Sequence, residues 1–302
     1  MKPERKMAEH NPFPGENNTG HVWDGNLREL RNPPPRWWMI AFWASVIWWV
    51  LYGVLYPMWP LGQQANKGLL GWTQMQEYQE GLQEVQTVRA QYDEKLKGID
   101  AAAILADPDL RQYALARGKV LFGDYCAACH GSGGQGNPGY PVLADDDWLY
   151  GGKVAKIIES VTLGRQGVMP AHSGTLNEQE IDRLAQFVVS LSQGNSVDDQ
   201  GWALFRDKGC VACHGANGNG VLATMPDGSV MTVGAANLTD GIWRFEPGGI
   251  ESAKRTIAHG VNQAGQPNTR EAVMPAFGQT GKLSEDQIKI VAVYVHQMGG
   301  GQ

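Results

Sequence analysis

Every cysteine in the 302-residue chain, four in all, falls within two five-residue stretches. These are Cys126-Ala127-Ala128-Cys129-His130 and Cys210-Val211-Ala212-Cys213-His214. Each reads C-x-x-C-H. Two thiols at this spacing sit on successive turns of one short helix, where they can form thioethers with the two vinyl groups of a single porphyrin. The adjoining His then lies under the ring and offers a nitrogen to iron. C-x-x-C alone would equally suit a zinc site or a redox dithiol. The following His, the duplication and the lack of any leftover Cys favour two covalently bound haem c groups. Cys126, Cys129, Cys210 and Cys213 would carry the thioethers, and His130 and His214 would be axial iron ligands.

The sixth ligand is sought in what repeats along with the motif. Leu121-Phe122 precedes the first motif and Leu204-Phe205 the second; Gly131 and Gly215 follow. Leu143-Ala144-Asp145 with Trp148 matches Leu238-Thr239-Asp240 with Trp243. Val168-Met169-Pro170-Ala171 matches Val273-Met274-Pro275-Ala276. A lone Met is ordinary core filler, but a Met-Pro at the same place in both copies points to thioether ligation by Met169 and Met274. His/Met iron has a raised reduction potential and no open position, so it carries electrons rather than binding substrate. Met225, Met231 and Met298 read as packing or loop residues. His172 lacks a counterpart in the second copy and reads as a surface residue. His259 and His296 read as structural or solvent-facing. His259 and Arg165 are also candidates to meet a haem propionate. Each Met could close the haem of its own copy, the default, or reach the iron of the other; the sequence leaves both pairings open.

The elements that must position these residues follow from the same repeat. Each copy closes with a capped helix: Asn177 with Glu180 and Ser284 with Gln287 form capping boxes. Apolar residues then recur at helical spacing at Ile181, Leu184 and Val188, and at Ile288, Val291 and Val295. An aromatic takes the same slot in each (Phe187, Tyr294). The expectation is two tandem class I cytochrome c-like domains, 108–194 and 197–302, in an all-α chain. The second copy carries an insert at 221–235. Upstream, 58–107 forms a linker. Within it, 74–97 is helix-forming, either as a docking surface for partner subunits or as a packing helix beneath the first haem domain. Asp107-Pro108 opens the next helix.

Residues 37–56 contain no charge and are rich in Trp. Twenty residues at about 1.5 Å each just span a ~30 Å hydrocarbon core. Trp37, Trp38, Tyr56 and Trp59 suit the two interfaces. This predicts a single transmembrane anchor, 37–57, after a mostly extended tail, 1–36. Lys2, Arg5, Lys6, Arg28, Arg31 and Arg36 precede the span, and only Lys67 lies in the thirty residues after it. The positive-inside rule then places the N-terminus in the cytoplasm and the haem domains outside. A net charge of −6 gives no sign of nucleic-acid binding.

His21-Val22-Trp23-Asp24-Gly25, Asn32-Pro33-Pro34-Pro35-Arg36-Trp37-Trp38, Gly71-Trp72-Thr73 and 145–148 resemble the diheme subunit III (CcoP or FixP) of cbb3-type cytochrome c oxidases, over essentially the whole chain. The 221–235 insert departs from that pattern. The resemblance implies an electron-transfer subunit in the bacterial inner membrane. It would take electrons from a donor cytochrome c or bc1 complex and pass them to a monohaem cytochrome c subunit. From there they reach a catalytic haem–copper subunit that reduces O2 and pumps protons, with small membrane subunits alongside. No His lies within 37–56, so the O2-reducing centre is expected in another chain. The alternatives are a free membrane-anchored diheme carrier or one serving another membrane dehydrogenase, and a diheme peroxidase or sensor, which would need one open iron position.

Overall fold

The computed structural model describes residues 15–62, 64–195, 198–228, 230–245 and 247–301. The basic residues Lys2, Arg5 and Lys6 lie outside the described residues. The chain divides into two units, the first ending at Thr87 and the second beginning at Val88.

The first unit holds strands β1 (Asn18–Trp23) and β2 (Leu27–Leu30), helix α1 (Arg36–Leu55), the short strands β3 (Pro60–Leu61) and β4 (Gln64–Ala65), and most of helix α2 (Gln74–Leu96). An extended tail is expected for the segment of β1 and β2, but the described part is an antiparallel hairpin pairing Val22 with Arg28 and Trp23 with Leu27. Its turn puts Asp24 at φ 51° and Gly25 at φ 80°. Asp-Gly is a dipeptide that tolerates two successive positive φ angles. Arg28 closes the hairpin on Glu16.

Helix α1 begins right after the three prolines, one residue before the expected anchor of 37–57, and ends two residues short of it. Trp37 and Trp48 are each 70% exposed, and apolar side chains point outward all round; a helix of this length and composition suits lipid rather than water. Its last carbonyls would be orphaned at the apolar boundary. The chain folds back to cap them: the amides of Leu69 and Leu70 donate to the carbonyls of Val54 and Leu55 at 2.9 and 3.1 Å. Asn66 Nδ2 donates to the Gly53 carbonyl at 3.0 Å. Trp59 packs against Gly53, where any Cβ would collide with its indole.

The second unit carries helices α3 (Ala101–Ala106), α4 (Pro108–Tyr125), α5 (Ala127–His130) and α6 (Val154–Leu163), strand β5 (Arg165–Gln166), helices α7 (Glu178–Ser192), α8 (Asp199–Asp207) and α9 (Val211–His214), strands β6 (Val221–Thr224) and β7 (Val230–Thr232), helix α10 (Gly249–His259), strand β8 (Val273–Met274) and helix α11 (Glu285–His296). Both capping boxes form as expected, on Asn177 with Glu180 and on Ser284 with Gln287. Asp107 caps α4 with Pro108 in its first turn. The end of α2 packs into this unit, with Leu96 buried and Asp93 tied to Tyr113 and Arg117. Farther up the same helix, Met75 and Tyr78 are exposed.

Two hydrophobic cores form, and neither belongs to one copy of the repeat. The first unites Leu96, Ile104, Phe122, Ile157 and Val161 with Leu283, Ile290, Val291 and Val293. The second unites Leu176, Leu184 and Phe187 with Phe205, Ala253 and Ile257. Consecutive bodies at 108–194 and 197–302 are expected from the repeat; instead, the closing helices are exchanged. Helix α11, from the second copy, packs on α4 and α6 of the first, while α7 of the first packs on α8 and α10 of the second. Each contact is tight at a glycine. A Cβ on Gly118 of α4 would lie 2.5 Å from Tyr294 Cβ, and one on Gly201 of α8 would lie 2.9 Å from Phe187 Cβ. The matched aromatic slot of the repeat is therefore the point where each closing helix crosses an opening helix.

Candidate functional site

Each C-x-x-C-H motif forms one short helical turn, α5 or α9, whose following glycine takes positive φ (77° at both Gly131 and Gly215). The chain then loops back over the His. His130 Nδ1 meets the Pro141 carbonyl at 3.0 Å, and His214 Nδ1 meets the Ala236 carbonyl at 2.9 Å. A carbonyl accepting from Nδ1–H fixes the tautomer and leaves Nε2 free as a metal donor. Burial holds both imidazoles below the usual His range, so they are neutral, the form that ligates metal. Burial pushes the Cys126 thiol up to about 11. No cluster of three or more Cys, His, Asp or Glu suited to a metal ion occurs among the described residues. A zinc site would need such a set.

All eight residues expected from the sequence line one cavity of about 1420 Å³: Cys126, Cys129, His130, Cys210, Cys213, His214, Met169 and Met274. That exceeds the roughly 300–1,000 Å³ of a single small-molecule site. Two thiol pairs, two neutral imidazoles and two thioethers on mostly apolar walls fit two haem c groups.

The two Met-Pro segments sit reciprocally. Met274 packs against the first core beside Cys126 and Ala127, and Met169 against the second beside Cys210 and Val211. Strand β8 pairs with β5, Met274 opposite Arg165. Met169 and Val261 exchange two backbone hydrogen bonds of 3.0 Å. Gly164, at the end of α6, takes φ 70°, and a Cβ there would lie 2.5 Å from the Met274 carbonyl. Gly260, at the end of α10, takes φ 71° and leaves the same lack of room against the Met169 carbonyl. Each copy thus presents its Met to the core that holds the other copy's motif.

Residues 15–63 match the family described as the N-terminal domain of cytochrome oxidase-cbb3, FixP. Residues 114–188 match cytochrome c oxidase, cbb3-type, subunit III, and 199–299 match cytochrome c. The FixP subunit of Azorhizobium caulinodans is 40% identical over 95% of this chain and 94% of its own length. The CcoP subunits of Azospirillum brasilense and Cereibacter sphaeroides are 37% and 38% identical. They cover 98% and 96% of this chain, and 99% and 97% of their own lengths. The chain belongs to the CcoP/FixP family of cbb3-type cytochrome c oxidase subunits. Its two cytochrome c domains carry two covalently bound haem c groups.

The other residues singled out from the sequence take these places in this CcoP-type chain. Met298 packs on the first core, while Met225 and Met231 are exposed on the insert. That insert is the hairpin of β6 and β7, and it reaches the first copy: Thr232 Oγ1 donates to the Leu149 carbonyl at 2.6 Å. His172 lines the cavity half-buried. His259 and His296 are also half-buried, and neither lines the cavity. Arg165 is committed to Glu159 at 2.8 Å and to Ser160 at 2.9 Å, with its guanidinium over the Tyr150 ring.

Several site residues went unread in the sequence. Pro141 and Ala236 act through carbonyls, which any residue would supply. Helices α6 and α10 were signalled by Ile157, Val161, Ala253 and Ile257 at helical spacing ahead of Gly164 and Gly260, the glycines that the repeat itself matches. Asp147 and Asp240, one from each copy, share a hydrogen bond. Burial, then this contact, pushes Asp147 up to about 6, and burial also raises Asp240.

Proposed function

We propose that this chain is the membrane-anchored electron-entry subunit of a cbb3-type terminal oxidase, with His130 and Met274 as axial ligands of the haem attached at Cys126 and Cys129. His214 and Met169 would serve the haem attached at Cys210 and Cys213. The observation that carries this reading is that all eight residues line one cavity, each Met lying in the core beside the other copy's motif. Haem iron held by His and Met supplies one-electron storage at a raised potential with no vacant position. Burial keeps the imidazoles neutral, the Pro141 and Ala236 carbonyls fix their tautomer, and both sites lie in apolar surroundings. A shared cavity would let the two haems exchange electrons directly.

The charge asymmetry around α1 supports an N-terminus in the cytoplasm and the haem unit on the outer face of a bacterial inner membrane. A donor cytochrome c or bc1 complex would deliver electrons there. They would leave toward a monohaem cytochrome c subunit and a catalytic haem–copper subunit that reduces O2 and translocates protons, with small membrane subunits completing the complex.

Purification through a tag on this chain tests the reading. Haem b and copper should co-purify with it in fixed ratio to haem c, and the isolated subunit should bind no carbon monoxide when reduced. Isolation without haem b and copper, or ready carbon monoxide binding, would overturn it.

A further inference from the structure

The two copies differ in charge at a point between the haem sites. The first reads Asp145-Asp146-Asp147-Trp148-Leu149-Tyr150, and the second Asp240-Gly241-Ile242-Trp243-Arg244-Phe245. Arg244 stands where the first copy has Leu149. Although it belongs to the second copy, it is pinned to the first haem site. Its carbonyl accepts from the amide of Gly139 at 2.6 Å, in the loop between His130 and Pro141. Its side chain lines the haem cavity and lies near enough to His130 for its charge to act on that imidazole.

A guanidinium drawn partly out of water needs an anion, and Asp147, Arg165, Lys208 and Arg270 already have partners. Asp147 feels its field but is hydrogen-bonded to Asp240 and raised to about 6. Arg165 holds Glu159, Lys208 holds Glu180, and Arg270 holds Ser252 while stacking on Phe245. Among the described residues Arg244 makes neither an ion pair nor a side-chain hydrogen bond; burial first, then electrostatic interaction with Tyr150 and Asp147, act on it. Its planar set of donors matches a carboxylate in bidentate fashion. Haem c brings two such carboxylates as its propionates.

We propose that Arg244 binds a propionate of the haem attached at Cys126 and Cys129, and that its charge raises that haem's reduction potential above the value a leucine would give. The idea rests on the assignment of the first haem to the Cys126 motif, not on which Met closes it. A fixed positive charge beside the site favours the reduced form, which carries one positive charge fewer. Because the first copy supplies Leu149 at the matching place, the effect falls on one haem of the two and separates their potentials.

Redox titration of the full-length chain in detergent tests this, with Arg244→Leu, Arg244→Lys and the same Leu change in a Cys126→Ala/Cys129→Ala background that retains only the second haem. In Arg244→Leu, with both haems still attached, the first haem should shift about tenfold in its oxidised-to-reduced ratio at fixed potential, about 59 mV downward. Arg244→Lys should recover part of the shift. In the single-haem background the Leu change should move the remaining midpoint less than threefold. An unmoved first haem, or an equal shift of the second, would overturn the proposal. Haem stoichiometry and the charge-transfer band of Met-ligated ferric haem, read on the same samples, report separately on attachment and Met ligation.

Discussion

At the residue scale the site is a set of donors whose electronic state is set by local contacts. Nδ1 of each His is engaged by a carbonyl, so each imidazole can offer only Nε2. Which Met answers it is decided by packing, and mutation can read the pairing. Met274→Ala should lower the potential of the haem bound at Cys126 and Cys129 by on the order of 0.1 V, out of the ~0.8 V that axial ligands command, while both haems remain attached. The haem at Cys210 and Cys213 should respond in the same way to Met169→Ala. Redox titration in single-haem backgrounds assigns the shifts, and the reverse pattern would restore ligation within each copy. A second residue-scale prediction concerns the carboxyl pair. Asp147 titrates near 6 when folded, against about 3.9 for an unperturbed aspartate. Its contribution to stability is complete below about pH 4 and is lost as pH rises through 6. The group is half-exposed, so screening limits the effect to about 1 kcal/mol. Asp147→Asn should flatten that part of the dependence of Tm on pH; an unchanged profile between pH 4 and 7 would show that Asp147 does not titrate there.

At the element scale, the repeat in the sequence stated which helices pair but not which copies. Gly118 precedes Leu121-Phe122 by the same interval as Gly201 precedes Leu204-Phe205, and Phe187 and Tyr294 occupy one slot. Those identities say that an opening helix crosses a closing helix at a glycine. They hold equally for exchanged and unexchanged copies, because the surfaces are the same. The signal that separates the two is the connection from α7 to α8, only 193–198 long. So short a turn favours packing the two helices as an antiparallel pair, and this commits α7 to the second core and leaves the first core to α11. The exchanged backbone pairs at Met274 and Met169 depend on glycines at φ 70° and 71°. Gly164→Ala should cost about 1–3 kcal/mol for strain in the left-handed region and should disturb Met ligation of the first haem alone. The second haem should answer to Gly260→Ala instead. Thermal unfolding and the charge-transfer band of Met-ligated ferric haem check both, and loss of the band at the haem of the copy that was not mutated would contradict the exchange.

At the scale of the whole molecule, the membrane span, the duplicated haem motifs and the two Met-Pro segments were legible because each rests on residue type and spacing. The Asp-Gly hairpin near the N-terminus and the carboxyl pair of Asp147 and Asp240 were not, since one is a local turn within a polar tail and the other joins residues ninety-three positions apart. The exchange of closing helices has a consequence for stability that two consecutive domains would lack. Each core draws on both copies, so neither can open without stripping segments from the other. A chain beginning at residue 88 should therefore be soluble, carry two haems and unfold in one calorimetric transition whose van't Hoff and calorimetric enthalpies agree. A fragment of 108–194 retains Cys126, Cys129 and His130 but lacks Met274 and the buried Ile290, Val291 and Val293 of α11. Removing three such side chains forfeits about 1.5–3 kcal/mol each, a large part of the 5–15 kcal/mol typical of a folded domain. The fragment should attach haem without the Met charge-transfer band and should fail to unfold cooperatively. A cooperative fragment with that band intact, or two resolved transitions in the longer chain, would mean that the copies are independent and that α11 does not close the first haem site.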